Sequence, residues 1–214
     1  MVDVTFVTTN PGKFREARTI LRPYGVRLRW ARRTLPELQA EDLRDVARAK
    51  AAAVHGLRGY VLVEDSGLFV RSLQGFPGVY SAHFLKIWGF GPLLELLRRR
   101  PRAAVFRCVA VLRKGRSSRT FVGETGGTIA RRPAGEHGFG YDPIFVPTGF
   151  HATFAELPPA TKNGLSHRAR AMVQVGEYLR GGPTVRAPAA GRSRSRSGRA
   201  APPAASRGVM SRPA

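Results

Sequence analysis

Apolar residues recur along this chain in two spacings, one typical of strands and one typical of helices. Alternating or short continuous apolar runs predict strands over residues 4–8, 26–30, 60–63, 103–112 and 119–130. Apolar residues at helical spacing predict helices over residues 13–21, 41–55, 92–100 and 167–179. Strands and helices alternate early in the chain, and a long hairpin follows. We therefore predict an α/β protein with a mixed sheet and flanking helices.

The composition changes at residue 181. Residues 181–214 are mostly Ala, Pro, Gly, Ser and Arg, and residues 192–197 repeat Arg-Ser. Such a segment cannot bury enough apolar surface to offset the entropy that it would lose on ordering. We predict a folded domain over residues 1–180 and a disordered tail over residues 181–214.

The chain is strongly basic, and its bases are mainly arginines. The 36 Lys and Arg residues outweigh 14 acids to give a net charge of +22, and only five of these bases are lysines. A basic field attracts polyanions without choosing between nucleotides and nucleic acids. No apolar run is long enough to cross a membrane, and the first residues lack the features of a signal peptide, so we expect a cytoplasmic protein. The single cysteine, Cys108, lies in an apolar run and is expected to be buried.

The first candidate motif is Thr8-Thr9-Asn10-Pro11-Gly12-Lys13, between a predicted strand and a predicted helix. A helix N-terminus offers N–H groups and a positive dipole end, and Lys13 adds a full charge, so the motif is suited to phosphate. It is not a Walker A loop, because the first glycine and the Ser/Thr after the lysine are missing. An ordinary capped helix start remains the alternative.

The second motif, Glu64-Asp65-Ser66-Gly67-Leu68, follows a buried apolar strand. Carboxylates at a strand end can hold Mg²⁺ or take a proton from water. Neighbouring strand residues point to opposite faces, so only one acid is expected to face a cleft unless the backbone bends at Gly67. A solvated acidic turn is the alternative.

Two further motifs lie near the end of the predicted domain. Gly138-Phe139-Gly140-Tyr141-Asp142-Pro143 sets two aromatic residues among glycines, which could enclose a flat base. The segment 162–168 places Lys162, His167 and Arg168 around a helix start, which favours an anion. Alone, each is also compatible with a plain turn or an ordinary capped helix.

Together these motifs resemble the inosine triphosphate pyrophosphatase family, also called XTP/dITP diphosphatases. The resemblance runs from Val4 to about Leu179, includes the segments Leu35–Glu41 and Gly75–Ser81, and is closest to archaeal members. It implies an elongated α/β fold with two lobes around a central cleft, and Mg²⁺-dependent hydrolysis of ITP, dITP and XTP to the monophosphate and pyrophosphate. It also implies a homodimer.

The resemblance assigns roles to individual residues. Asp65 is the implied general base and, with Glu37, a ligand of Mg²⁺. The implied substrate-binding residues are Thr8, Thr9, Asn10, Pro11, Gly12, Lys13, Ser66, Phe139, Gly140, Tyr141, Asp142, Lys162, His167 and Arg168. Two of the five lysines thus fall in the predicted site. The chain departs from the family pattern at Thr161, where a glutamate is usual, and in the preceding residues 157–160.

Two other functions compete with this one. A Maf-type pyrophosphatase shares the fold and prefers other nucleotides, but residues 138–145 and 166–168 argue against it. A basic nucleic-acid-binding protein fits the charge, but the chain has no signature of an RNA- or DNA-binding module. Weak, salt-sensitive nucleic-acid binding by the tail is expected at most.

Overall fold

The structure is a computed structural model that describes residues 1–181, so residues 182–214 of the predicted tail lie outside it. The strands are β1 (Val2–Val7), β2 (Val26–Ala31), β3 (Tyr60–Val70), β4 (Pro77–Gly78), β5 (Ala103–Lys114), β6 (Ser117–Ile129) and β7 (Phe145–Pro147). The helices are α1 (Pro11–Leu21), α2 (Leu43–Ala52), α3 (Ser81–Trp88), α4 (Gly91–Leu96), α5 (Pro159–Leu165) and α6 (His167–Leu179). None of the helices in this part of the chain is long and apolar enough to span a membrane.

All seven strands form one mixed sheet. Six follow the order β2-β1-β3-β5-β6-β7, and β4 pairs with β3 outside this path. The two pairings of β1 are parallel, and every other pairing is antiparallel. The predicted α/β class with a mixed sheet and flanking helices is confirmed.

The helices with a side-chain hydrogen bond at the N-cap, namely α1, α2 and α6, begin within two residues of their predicted starts. The Asn10 side chain accepts hydrogen bonds from two backbone N–H groups at the start of α1, and Ser166 accepts one at the start of α6. These contacts satisfy N–H groups that a helix start otherwise leaves open. By contrast, α3, α4 and α5 have no side-chain hydrogen bond at their N-caps. The predicted helix over 92–100 corresponds to α4, which begins at Gly91 but already ends at Leu96, and α3 and α5 were not predicted.

The strand β3 is much longer than the predicted segment 60–63. It pairs with β5 residue by residue from Tyr60↔Lys114 to Val70↔Ala104. The acidic motif therefore lies inside a strand, and the expectation that it follows the strand end was wrong. Glu64 and Asp65 break the apolar pattern of the strand, but their side chains form ion pairs with basic side chains.

A gap in the sheet lies beside the middle of β3. The register of β1 against β3 ends at Phe6↔Leu62, and that of β4 begins at Leu68↔Gly78. Among the strands described, none pairs with residues 63–67 on this edge. Side chains from both faces of β3 can reach one opening here, which is why both acids of the motif line the same cavity without a bend at Gly67.

Three apolar clusters surround this gap. One packs α1 and α6 on the sheet, and it includes Phe6, Phe14, Leu62 and Met172. A second lies around α2, and a third lies around the aromatic side chains of Phe84, Phe106, Phe145 and Phe154. The site is thus held between separately packed elements.

Candidate active site

A cavity of about 490 Å³ lies at the gap in the sheet. Every residue that the sequence assigned to the site lines it except Pro11, Gly12 and Lys162. The end of β1, the middle of β3, and residues from α1, α2, α3 and α6 all contribute to the wall. The separate motifs therefore meet in space.

The loop from Thr8 to Lys13 forms one end of the cavity. Asn10 Oδ1 accepts hydrogen bonds from the N–H groups of Gly12 at 2.8 Å and Lys13 at 3.1 Å. The cap therefore occupies N–H groups that we expected to be free for phosphate. The dipole end of α1 and the Lys13 ammonium remain as the positive features of this end.

A pair of carboxylates lies near this loop, held by a lysine. Lys50 Nζ on α2 is 2.9 Å from Asp65 Oδ1 and 3.2 Å from Glu37 Oε1. Burial acts to lower the pKa of Lys50, but the charges of Asp65 and Glu37 outweigh it and the pKa is raised. Lys50 therefore stays charged. A cation between two carboxylates shows that these acids can share a positive partner.

Six charged side chains of alternating sign form a network of ion pairs beside the cavity. They are, in order, Lys13, Glu64, Arg168, Glu16, Lys162 and Asp142. The first four N–O distances are 2.9, 2.8, 2.7 and 2.7 Å, and Lys162 is also bonded to Asp142. Three cations balance three carboxylates, so this largely buried network carries no net charge.

Glu64 is the most enclosed carboxylate of the network. Burial acts to raise its pKa, but the charges of Arg168 and Lys13 outweigh it and hold the pKa well below its usual value. Glu64 also accepts a hydrogen bond from Cys108 Sγ at 3.0 Å. It is therefore ionised and fully committed to its partners, unlike Asp65, which has a single lysine and 13% side-chain exposure.

Aromatic side chains form another part of the cavity wall. The Phe139 ring lies over two cations, with Lys162 Nζ at 4.9 Å and Arg168 Cζ at 5.3 Å from its centroid. The ring also lies against Gly12, where any Cβ would collide with it. This close approach explains the glycine at the start of α1. Tyr141 is fixed by donating its hydroxyl hydrogen to the Ser81 carbonyl at 2.8 Å.

His167 is buried beside these aromatic side chains. Its ring stacks on Phe106 with centroids 4.2 Å apart and planes 5° apart. Burial, followed by the nearby charge of Arg168, holds the pKa of His167 well below its usual value, so the imidazole is neutral. Its Nδ1 is the one buried side-chain nitrogen or oxygen in residues 1–181 that has no hydrogen-bond partner.

Comparison with known proteins decides the family. Residues 4–178 match the model of the Ham1 family. This chain belongs to the Ham1 family. It is 42% identical over 179 residues to the dITP/XTP pyrophosphatase of Thermococcus kodakarensis, which covers 83% of this chain and 97% of the relative. It is 41% identical over 180 residues to the Methanopyrus kandleri dITP/XTP pyrophosphatase, covering 83% and 96%.

Solved structures agree with this assignment. The HAM1 protein from Coxiella burnetii has a TM-score of 0.72 at 30% identity and covers 84% of this chain and 98% of its own. The resemblance to XTP/dITP diphosphatases is confirmed, and the Maf-type alternative loses its support.

Two residues of this Ham1 site were missed by the sequence analysis. Lys50 lies beside Asp65, and Glu16 joins Lys162 to Arg168. The rarity of lysine in an arginine-rich chain was the available signal for Lys50. Glu16 had none, because its partners lie 146 and 152 residues away in the sequence.

The departure at Thr161 leaves the Lys162 side chain in the network. Lys162 is 3% exposed and is held by Glu16 and Asp142. It supports the cavity from behind Phe139 and does not line it.

Proposed function

We propose that this chain hydrolyses dITP, ITP and XTP to the monophosphate and pyrophosphate. The observation that carries the proposal is a single cavity lined by the cations Lys13 and Lys50, the carboxylate of Asp65 and several aromatic side chains. The cations suit phosphates, and the aromatic side chains suit a purine base. The names of the archaeal relatives, dITP/XTP pyrophosphatase, support the same substrates.

Asp65 is the proposed general base. Asp65 and Glu37 each have Lys50 as a single charged partner, and Asp65 is the more enclosed of the two, with 13% side-chain exposure against 71%. A general base must reach the proton that it removes. Water attacks the α-phosphorus, Asp65 takes its proton, and the bond to the pyrophosphate oxygen breaks. Lys13, Lys50 and the dipole of α1 stabilise the charge that develops on the phosphate oxygens.

Glu37 and Asp65 are the proposed ligands of Mg²⁺. Both approach a single cation, the Lys50 ammonium, so the donor set suits a positive ion. No cluster of three or more metal-ligating side chains occurs in residues 1–181. Two carboxylates are sufficient, because Mg²⁺ usually keeps several waters and shares substrate phosphate oxygens. The chemistry that Mg²⁺ supplies in such sites is neutralisation of phosphate charge.

His167 is the proposed reader of the purine. The carbonyl at purine position 6 of inosine and xanthine needs a donor, and the candidate donors in the cavity are His167, Arg168 and the backbone near Phe139. Four of the five Arg168 N–H groups are engaged by Glu64, Glu16 and Ser66, and the Phe139 N–H is bonded to Asp142. The neutral His167 lines the cavity and can donate from one ring nitrogen.

A nucleotide panel tests the proposed function. A donor facing the adenine amino group is left unpaired, and sites built on such bonds reject the mismatch by up to about 10⁴-fold. We expect ITP and XTP to be hydrolysed much faster than GTP, and GTP to be hydrolysed at least as fast as ATP. Pyrophosphate and orthophosphate are measured separately. Orthophosphate as first product, or equal rates on ITP and ATP, would refute the proposal.

Glu37→Gln is expected to raise the Mg²⁺ concentration needed for half-maximal rate. An amide is a poorer Mg²⁺ ligand than a carboxylate. Glu37 is 71% exposed, so its loss has little effect on folding. Glu95→Gln, at a similarly exposed acid on α4, is the matched control. An unchanged Mg²⁺ titration of Glu37→Gln would remove Glu37 from the metal site.

Residues 1–180 are the proposed catalytic domain. A chain cut after Gly181 is expected to keep full activity, because the family match ends at residue 178 and α6 ends at Leu179. Activity and nucleic-acid binding of the cut and full chains would be compared at two salt concentrations. Any nucleic-acid affinity of the full chain is expected to weaken with salt and to be lost with the tail. Loss of turnover on truncation would contradict this division.

A homodimer in the cytoplasm is the proposed state of the protein. The cytoplasm holds the nucleotide pool on which such an enzyme acts. Support for the dimer comes from exposed apolar side chains along and before α3, with Phe76 38%, Tyr80 49% and Ile87 53% exposed. Such patches often mark protein contacts. Light scattering of the wild type and Ile87→Glu would measure the molar mass, and a monomeric wild type would contradict the dimer.

A further inference from the structure

Trp30 lies on the edge strand β2 and does not line the cavity, yet it contacts residues at both ends of the loop from Thr8 to Lys13. Its indole Nε1 donates a hydrogen bond to the Thr8 carbonyl at 2.8 Å. Its ring stacks on Phe14 of α1, with centroids 4.8 Å apart and planes 11° apart. Thr8 begins the loop that ends at Lys13, and Phe14 follows Lys13 directly. One side chain therefore touches both ends of the loop.

The hydrogen bond matters because Thr8 has few other ties to the sheet. Its N–H donates to the Ala31 carbonyl at 3.2 Å, at the last position of the β1–β2 pairing. Its hydroxyl accepts a hydrogen bond from the Asn10 N–H at 3.1 Å, inside the loop. The Trp30 bond holds the carbonyl side of the same residue. Together these contacts fix the direction in which the chain leaves β1.

The stacking adds a second constraint. Arg32 Cζ lies 5.2 Å from the Trp30 ring, and Arg18 Cζ lies 5.7 Å from the Phe14 ring. Two cations thus flank a pair of stacked aromatic rings. Cation–π contacts and aromatic stacking each favour one arrangement of the rings. The two stacked rings join β2 to α1.

We propose that Trp30 is a positioning residue for triphosphate binding, which it serves by holding Thr8 and the start of α1 in the geometry that receives phosphate. This inference rests on the proposed function only for the identity of the triphosphate. When a loop is already ordered before the ligand binds, less of the binding free energy is lost to ordering it. Loss of the Trp30 contacts is therefore expected to weaken phosphate binding more than it slows the hydrolysis step.

Trp30→Phe separates the hydrogen bond from the stacking. The phenyl ring can still pack on Phe14 but has no N–H for the Thr8 carbonyl. A hydrogen bond of this kind is commonly worth about 3- to 10-fold in an equilibrium. We expect Trp30→Phe to raise KM for ITP, and the Kd for pyrophosphate with Mg²⁺, by that factor while kcat stays unchanged. Trp88→Phe is the matched control, since Trp88 is the other tryptophan and is 57% exposed on α3.

Fluorescence gives a readout that does not need turnover. In the Trp88→Phe background Trp30 is the only indole, and its emission is expected to change as pyrophosphate with Mg²⁺ is added. Unchanged affinity of Trp30→Phe for pyrophosphate would overturn the inference. A lower kcat together with a lower melting temperature, at unchanged KM, would also overturn it. A wild type that binds pyrophosphate but hydrolyses no nucleotide would refute the proposed function alone, and weaker binding by Trp30→Phe would then still support the role of Trp30.

Discussion

Asp65→Asn is expected to lower kcat on ITP by about 10²- to 10⁴-fold, which is the usual cost of removing a general base. An amide cannot take the proton of the attacking water, and it is also a weaker ligand for Mg²⁺. The side chain keeps its shape, and the residue lies in a strand paired on its other edge with β5. The variant should therefore fold normally. Steady-state assays with saturating ITP and Mg²⁺ measure kcat.

The control for this prediction lies on α2. Asp45 is 58% exposed and pairs with Arg48 at 3.7 Å, far weaker contacts than those of Asp65. Asp45→Asn is expected to keep wild-type kcat. A folded Asp65→Asn variant with near-normal turnover would transfer the role of base to another group, and Asp65 would remain only as a partner of Lys50.

The sequence predicted the fold best where local chemistry and tertiary structure agree. The α1 and α6 helices start at Asn10 and Ser166, whose side chains make the capping bonds that the residue types suggest. The position of the motif around Asp65 was predicted wrongly, because the local pattern and the tertiary structure disagree there. A run of polar residues usually ends a strand, but here Glu64 is held inside the sheet by ion pairs with distant residues. Tertiary charge pairing overrode the local pattern.

The sequence indicated which motifs meet around one cavity, but not which side chains pair within it. Thr8, Thr9, Asn10 and Lys13 of the first motif line the cavity, whereas Pro11 and Gly12 do not. The sequence could not show that Arg168 would be enclosed by Glu64 and Glu16, because those contacts span 104 and 152 residues. This changes the meaning of experiments on Arg168, which the resemblance alone presents as a residue that contacts substrate.

Arg168→Met is expected to lower the free energy of unfolding by about 3–5 kcal/mol, the usual cost of removing one member of a buried ion pair. Arg168 is 2% exposed and bonds to Glu64 and Glu16 through Nε, Nη1 and Nη2. Without it, the buried network has three carboxylates against two lysines. Urea unfolding followed by circular dichroism measures the loss. Arg170→Met, on the exposed side of the same helix, is the control and is expected to change stability far less.

A second substitution separates charge imbalance from lost packing. Glu64→Gln in the Arg168→Met background removes one of the uncompensated carboxylate charges and keeps the side-chain shape. We expect the double variant to recover part of the lost stability, because the cost of an unpaired buried charge exceeds that of a neutral amide in the same place. If the double variant is instead less stable than Arg168→Met by the full effect of Glu64→Gln alone, the two residues act independently. The alternating chain of charges would then not be what holds this end of the cavity, and loss of ITP hydrolysis in Arg168 variants would have to be explained by direct contact with substrate.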